Sequence, residues 1–217
     1  MAETNTAWTY PHRRSLFTSR ARQHLTTAKI MFSSPTQEID PTPVNETYQS
    51  GGTITLSTNS MVSMTLGDDI RDPTGLGRWS GQTCRGKDNK VFTVITAYRV
   101  CTGSIATSSV GSAFSREYEH IWTSKNTKLP LPRKHILDDL QQLIIELQAK
   151  WHSILLMLDS NGTLEGDTDL SNLLQQCDLH DLHSINPFPS TFIGSNTRRI
   201  DHMLGCSTVL QCMTGSG

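Results

Sequence analysis

The stretch ILLMLDSN, residues 154–161, decides the fold of this 217-residue chain. Its apolar run has the length and continuity of a strand that is buried on both faces. Asp159 and Asn161 follow at the carboxyl end, where open α/β sheets place functional residues. Because residues i and i+2 of a strand share a face, these two side chains are expected to face one pocket if the strand geometry continues. An ordinary Asp-Ser-Asn-Gly turn would have the same sequence, so the run alone leaves both interpretations open.

A helix is predicted immediately before this strand, over residues 136–151. Its apolar positions repeat with a period near 3.6, which indicates one buried face. These positions are Ile136, Leu140, Leu143, Ile144, Leu147 and Trp151. Asp138 and Asp139 lie in the early turns, where negative charge stabilises the helix dipole. The helix and the strand together predict an α/β unit.

Weaker patterns predict the other elements. Thr-rich or alternating segments predict strands at 52–58, 61–66, 79–85, 91–98, 179–182 and 199–204, with a hairpin turn at 86–89. Helices are predicted at 13–31, around 118–122 and at 170–177, and residues 67–77 are expected to form a solvated loop. The mixture of hairpins and α/β alternation predicts a layered α/β sandwich, in a single domain over residues 1–217.

Composition excludes several classes of protein. The formal net charge is -1, so the whole chain gives no sign of a nucleic-acid binder, although residues 13–29 are locally basic. No apolar run approaches the ~20 residues of a membrane helix, and the first residues contain no apolar signal-peptide core. The five cysteines are scattered without a CxxC pair, which favours reduced thiols in an intracellular protein, nuclear or cytoplasmic.

Four further motifs accompany LDSN at 158–161: ETNTAW at 3–8, VITAYR at 94–99, TFIGS at 191–195 and RRIDH at 198–202. In order and spacing they resemble the endonuclease/exonuclease/phosphatase superfamily, in particular the nuclease-like domains of retroelements. The segments at 51–53, 77–80 and 132–134 resemble the same subgroup. The resemblance covers residues 3–205. It implies a DNase I-like fold of two mostly antiparallel or mixed sheets flanked by helices.

The resemblance also implies a role for each motif residue. Glu3 would hold a catalytic Mg²⁺ or Mn²⁺, and Asp159 would orient or deprotonate the attacking water. Asn161 would contact the phosphate and position that acid, and Tyr98 would lie beside the phosphate. Asp201 would match the acid that normally holds a catalytic histidine. The implied reaction is metal-assisted hydrolysis of a nucleic-acid phosphodiester, in DNA rather than RNA.

Two departures from the superfamily pattern bear on activity. The usual first strand, which carries an Asn before the Glu motif, has no counterpart ahead of Glu3, and no Ser-Asp-His motif follows Asp201. His202 is not expected to replace the missing histidine, because adjacent strand residues point to opposite faces. We therefore expect a domain cut at both ends and a weak enzyme. Thr191 is expected to be structural or to contact the substrate.

Two other functions are compatible with the sequence. A non-catalytic remnant would bind nucleic acid or a protein partner through the basic residues 13–29. An enzyme with the same fold would instead act on a phospholipid or an inositol phosphate. No residue of the chain favours that last substrate.

Overall fold

The structure is a computed structural model that describes residues 29–33, 52–108, 112–125, 128–184 and 199–212. Its strands are β1 (Lys29–Ser33), β2 (Thr53–Ser57), β3 (Thr65–Arg71), β4 (Trp79–Arg85), β5 (Val91–Tyr98), β6 (His152–Asp159), β7 (Leu179–Asp181) and β8 (Asp201–Cys206). Its helices are α1 (Ser60–Met64), α2 (Ala113–Lys125), α3 (Pro132–Ala149), α4 (Thr168–Gln176) and α5 (Ser207–Cys212). No helix in these ranges is long and apolar enough to cross a bilayer.

The strands form two sheets that pack on each other. β1 and β2 form an antiparallel pair, and the other strands form a six-stranded mixed sheet in the order β3-β4-β5-β6-β8-β7. Only β5 and β6 run parallel within the described sheet, and α2 and α3 lie in the connection between them. The small sheet contacts β4 and β5. The predicted layered α/β sandwich of two antiparallel or mixed sheets with flanking helices is confirmed.

The central strand β6 has one face against α3. Ile154, Leu156 and Leu158 on that face are at most 1 % exposed. They belong to one apolar cluster with Ile136 and Leu140 of α3, which are fully buried. Burying a side chain of this size stabilises a fold by roughly 1.5–3 kcal/mol, so this contact anchors β6 in the middle of the molecule.

The opposite face of the large sheet meets the small sheet through a polar layer. Thr55 Oγ1 of β2 lies 3.2 Å from the carbonyl oxygen of Ser80 and 3.1 Å from Thr96 Oγ1, and all three residues are buried. Such buried hydroxyls are stable because they hydrogen-bond to one another. Since Thr96 and Tyr98 are two residues apart on β5, Tyr98 lies on this inter-sheet face.

The predicted helix over 136–151 exists but has different ends. α3 begins at Pro132, which fits the preference of proline for the first helical turn, and ends at Ala149. Trp151 was expected on the buried face; instead it follows the helix with a φ of 64° and is 90 % exposed. The helix ends before Trp151, so the 3.6-residue period does not apply to this residue and does not predict the direction of its side chain.

Two segments between residues 61 and 77 have a different secondary structure from the one predicted. Residues 61–66 were expected to form a strand, but α1 covers Ser60–Met64 and β3 starts at Thr65. Residues 67–77 were expected to be a solvated loop, but β3 continues to Arg71 and Asp72 is only 4 % exposed. Asp72 is buried because Arg78 binds its carboxylate with two hydrogen bonds, of 2.9 and 3.0 Å.

The remaining predicted elements are found with modest shifts. The hairpin of β4 and β5, the short strand β7 and the helix α4 are confirmed. The last strand is β8, which starts two residues later than predicted, and the helix expected around 118–122 is the longer α2. The helix predicted at 13–31 is wrong at its end, where β1 begins at Lys29. Residues 13–28, 34–50 and 213–217 lie outside the described ranges.

Candidate active site

Tyr98, Asp159 and Asp201 form one row across three neighbouring strands. Tyr98 of β5 is paired with Asp159 of β6, and Asp159 is paired with Asp201 of β8. Paired residues on adjacent strands project from the same face of a sheet, and the strands lie about 4.8 Å apart. The structure therefore brings these three predicted site residues together at one edge of the inter-sheet face.

Asn161 joins this row through a turn. β6 ends at Asp159, so the strand geometry does not continue to Asn161, and the alternative of a turn at this position applies. Asn161 has a φ of 47°, in the left-handed region that asparagine tolerates better than most residues. Its backbone N–H donates to Asp159 Oδ1 at 3.0 Å, and its Nδ2 donates to Asp159 Oδ2 at 3.3 Å. The turn thus holds both oxygens of the Asp159 carboxylate.

The side-chain amide of Asn161 is fully engaged. Besides Asp159, its Nδ2 donates to the carbonyl oxygen of Arg99 at 2.7 Å, so both amide hydrogens have acceptors. Its Oδ1 accepts a hydrogen bond from the Cys101 thiol at 3.2 Å. The expected phosphate contact would therefore require one of these bonds to be exchanged, whereas the positioning of Asp159 requires no change.

Asp159 has the electrostatics of a weak base. Its side chain is 7 % exposed, and burial raises the pKa of the carboxyl to about 7. This value includes the negative charge of Asp201, which also raises the pKa, and the hydrogen bonds from Asn161 and the charge of Arg133, which lower it. A carboxyl with a pKa near neutrality is suited to accept a proton at physiological pH.

Tyr98 is suited to donate a hydrogen bond. Burial raises the pKa of its phenol, and the neighbouring Cys101 and Asp159 raise that pKa further. The hydroxyl therefore stays protonated at all physiological pH values. Glu117 of α2 lies close enough to influence Tyr98; it is 3 % exposed, and burial raises its pKa to about 8.

Two arginines connect the turns that carry the site. Arg133, at the start of α3, donates to the carbonyl oxygen of Val100 at 2.6 Å and to that of Asn161 at 3.2 Å. Arg99 donates to the carbonyl oxygen of Arg133 at 2.8 Å, and both guanidinium groups pair with Asp167, the N-cap of α4. The ends of β5 and β6 are thereby fixed to two helices.

Sequence reasoning did not assign roles to Arg99, Cys101, Glu117 or Arg133. Arg99 and Arg133 lie inside motifs that carry the superfamily resemblance, and this was their only signal. Their acceptors are backbone carbonyls up to 34 residues away and the carboxylate of Asp167, 68 residues from Arg99, which no local pattern indicates.

His202 and His180 do not join the row. His202 faces the opposite side of β8 from Asp201, as strand alternation predicts, and its Nε2 lies 3.1 Å from the carbonyl oxygen of Gly162. Burial lowers the pKa of His202, so the ring is neutral. His180 contacts Ser207 at 2.9 Å and is paired with Gly205, near the far end of β8.

The predicted metal ligand Glu3 and the predicted contact residue Thr191 lie outside the described residues. Within the described ranges, no three His, Cys, Asp or Glu side chains cluster as metal ligands. The carboxylates of Asp159 and Asp201 are hard oxygen donors on paired positions, which is the donor type that Mg²⁺ prefers. The two carboxylates of the row therefore fit a divalent cation, provided that another residue contributes a further ligand.

Comparison with known proteins identifies the fold. No family model and no curated protein matches the sequence. The structure is similar to the human Nocturnin catalytic domain with bound sulfate, at a TM-score of 0.51 and 10 % identity over 90 % of this chain and 66 % of that chain. An endonuclease/exonuclease/phosphatase from Bacteroides vulgatus gives a TM-score of 0.52 and 10 % identity, over 88 % and 69 %.

A D. rerio TDP2 humanized by 14 mutations gives a TM-score of 0.50 at 9 % identity, over 91 % of this chain and 68 % of that chain. This chain thus spans about two thirds of the length of these solved structures. The solved structures belong to endonuclease/exonuclease/phosphatase proteins and cover most of this chain. At this level of identity the likeness concerns architecture, and the chain has the DNase I-like fold of the endonuclease/exonuclease/phosphatase proteins.

Proposed function

We propose that this chain is a metal-dependent phosphodiesterase that hydrolyses nucleic acid. The observation that carries the proposal is the row of Tyr98, Asp159 and Asp201, with a near-neutral carboxyl at its centre. An acid, a hydroxyl donor and a second acid in register suit a reaction in which water attacks a phosphate. Nocturnin, which shares the fold, was solved with sulfate, a tetrahedral anion like phosphate.

In the proposed reaction Asp159 accepts the proton of the attacking water. The new bond forms between the water oxygen and phosphorus, and the bond from phosphorus to the leaving oxygen breaks. Asn161 keeps the Asp159 carboxylate in one orientation through its two hydrogen bonds. The Tyr98 hydroxyl donates to a phosphate oxygen as negative charge develops there.

Asp201 acts through Asp159. Its charge helps to raise the pKa of the central carboxyl, which keeps that carboxyl a base of useful strength. Glu3 would hold Mg²⁺ or Mn²⁺ together with oxygen donors of the row. The bound cation supplies charge neutralisation at the phosphate.

Nicking of supercoiled plasmid DNA tests this function. We expect the full chain to produce nicked circles with Mg²⁺ or Mn²⁺, and Asp159→Asn to lose nicking by two or more orders of magnitude. Asp178→Asn is the matched control, because its side chain is 65 % exposed and contacts His180 and Ser207 away from the row. Equal nicking by the wild type and Asp159→Asn would contradict the proposal.

Two chromogenic esters separate the reaction classes. A phosphodiesterase cleaves bis(p-nitrophenyl) phosphate in preference to p-nitrophenyl phosphate. The reverse preference would assign a phosphatase instead. DNA binding without cleavage of any ester would favour the non-catalytic alternative, with residues 13–29 as the contact.

We also propose a retroelement origin and an intracellular site of action, nuclear or cytoplasmic. The motifs at 94–99, 158–161 and 198–202 support the origin because they resemble retroelement nuclease-like domains. Genomic sequence around the reading frame tests it. A neighbouring reverse-transcriptase frame is expected, and an unrelated single-copy gene context at every locus would contradict the proposed origin.

A further inference from the structure

Helix α2 carries three aromatic side chains on successive turns. Phe114, Tyr118 and Trp122 are spaced by four residues, so they lie above one another on one side of the helix. The ring centroids of Phe114 and Tyr118 are 6.4 Å apart with 27° between the planes, and those of Tyr118 and Trp122 are 6.3 Å apart with 20°. We refer to these three rings as the aromatic ladder.

The aromatic ladder does not serve the core. The buried side of α2 consists of Glu117 and Ile121, whereas the ladder lies beside it. Phe114 and Tyr118 are half-buried, and Trp122 remains 50 % exposed. Singly exposed apolar residues are common, but three adjoining aromatic rings form a contiguous apolar surface, and such a surface is typical of a site that binds a ligand.

The ladder starts at the candidate active site. Phe114 lies against Gly103, where an added Cβ would meet its ring at 3.4 Å. Gly103 is two residues from Cys101, whose thiol donates to Asn161. On the same helix, Glu117 influences the pKa of Tyr98. From Phe114 to Trp122 the helix rises roughly 12 Å, so the ladder extends along α2 from the end that lies against Gly103.

The charges around the ladder favour an anionic ligand. Lys125 follows Trp122 by one turn and is 53 % exposed, and Lys134 of α3 is 48 % exposed. Lys125 pairs with Asp139 at 3.7 Å, and Lys134 pairs with Asp138 at 3.7 Å and with Asp169 at 3.6 Å. Ion pairs of such half-exposed lysines are weak, so a phosphate can replace the carboxylates. Glu117, the buried acid of α2, is kept largely uncharged at neutral pH by burial.

We propose that the aromatic ladder stacks the unpaired bases of a single nucleic-acid strand that extends from the phosphodiester held at Asp159. Stacking on aromatic rings tolerates every base because each base has a π face, and nearby lysines follow the backbone. The proposal rests on the proposed function for the position of the strand. It makes single-stranded segments, rather than intact duplex, the preferred substrate class.

Fluorescence anisotropy with a labelled oligothymidylate tests the ladder without any need for catalysis. The full chain is titrated in EDTA, which prevents cleavage. We expect Trp122→Ala to weaken binding by roughly 5- to 150-fold, as for other base-stacking aromatics, and Trp122→Phe to lose less. The substitution removes an exposed ring, so thermal unfolding of the variant should match that of the wild type.

Trp151→Ala is the matched control. Trp151 is 90 % exposed and precedes β6, at the opposite end of that strand from Asp159. We expect this variant to bind the oligonucleotide like the wild type. Equal affinities of Trp122→Ala and Trp151→Ala would overturn the proposal, and they are the result expected if a protein partner covers the ladder.

A duplex of the same length supplies the second comparison. Paired bases cannot reach the rings, so Trp122→Ala should weaken duplex binding little. An equal loss of affinity for single strand and duplex would show that Trp122 does not act by stacking and would also overturn the proposal.

The two proposals can fail separately. If binding depends on Trp122 but no ester is cleaved, the phosphodiesterase proposal is wrong and the stacking proposal is supported. If an ester is cleaved but oligonucleotide affinity does not depend on Trp122, only the stacking proposal is wrong.

Discussion

Asp159→Asn is expected to stabilise the protein while it removes activity. Burial raises the pKa of this carboxyl from 3.8 to about 7, so the folded state holds a proton that the unfolded state has lost between these pH values. Stability contributed by the protonated carboxyl is present below the unfolded value and is lost as pH rises through the folded value. Asparagine carries no charge, so the variant escapes this loss.

The size of the effect follows from the two pKa values. One pKa unit corresponds to 1.36 kcal/mol, so the cost of ionising Asp159 is about 1 kcal/mol at pH 4.5 and about 4 kcal/mol at pH 8.5. Asparagine also loses one acceptor for Asn161 Nδ2, a hydrogen bond whose net contribution is about 1 kcal/mol. This second contribution does not depend on pH.

Urea denaturation in EDTA at the two pH values measures the effect. We expect the variant to have a free energy of unfolding close to that of the wild type at pH 4.5 and higher by about 3 kcal/mol at pH 8.5. Asp178→Asn, with its exposed side chain, serves as the control and should show no comparable change with pH. A variant that is equally or less stable than the wild type at both pH values would refute the assignment of a buried, high-pKa carboxyl.

Three further predictions address the site and the core. With Asp159 as the base, kcat/KM measured with Mg²⁺ should rise with pH through the pKa of this carboxyl, which a cation held beside the row lowers from its metal-free value of about 7, and a kcat/KM that falls between pH 5 and 7 would contradict that role. Arg133→Ala should lower the free energy of unfolding by about 2–4 kcal/mol, because charged hydrogen bonds to Val100 and Asn161 are lost. Arg133→Lys should not restore both bonds, since lysine lacks the planar fork, and urea titration that shows full rescue would refute this reason. Leu156→Ala, at a fully buried position, should cost about 2–5 kcal/mol in the same assay, whereas Leu129→Ala, at a side chain that is 71 % exposed, should change stability by less than about 0.5 kcal/mol.

The sequence predicted the elements whose burial follows a simple period. The continuous apolar run identified β6, and the 3.6-residue period of Ile136, Leu140 and Ile144 identified α3. Both elements lie in the centre of the fold, where the apolar pattern decides conformation. The short helix α1 was missed because none of its residues is buried, so no period marks it.

The candidate site was predictable only in part, because some of its residues are positioned by contacts that are distant in the sequence. Asp159 stood out because a polar residue directly follows a buried strand, and resemblance added Tyr98 and Asp201. Arg99 and Arg133 act through carbonyl groups of distant segments, which a sequence pattern does not record. Asp72 was placed in solvent for the same reason, because its burial depends on a bidentate pair with Arg78.

The register of three strands sets the spacing of the site row. Tyr98, Asp159 and Asp201 are neighbours only because the main-chain hydrogen bonds of β5, β6 and β8 hold them level. Deleting one residue within β8 would shift the strand register by one position, so that Asp201 would point to the opposite face of the sheet. Beyond the turn residues that Arg99 and Arg133 hold, the loops that follow β5 and β6 are under no such constraint. Over evolutionary time, substrate preference is therefore free to change by insertion in those loops, whereas the lengths of the three strands must stay constant.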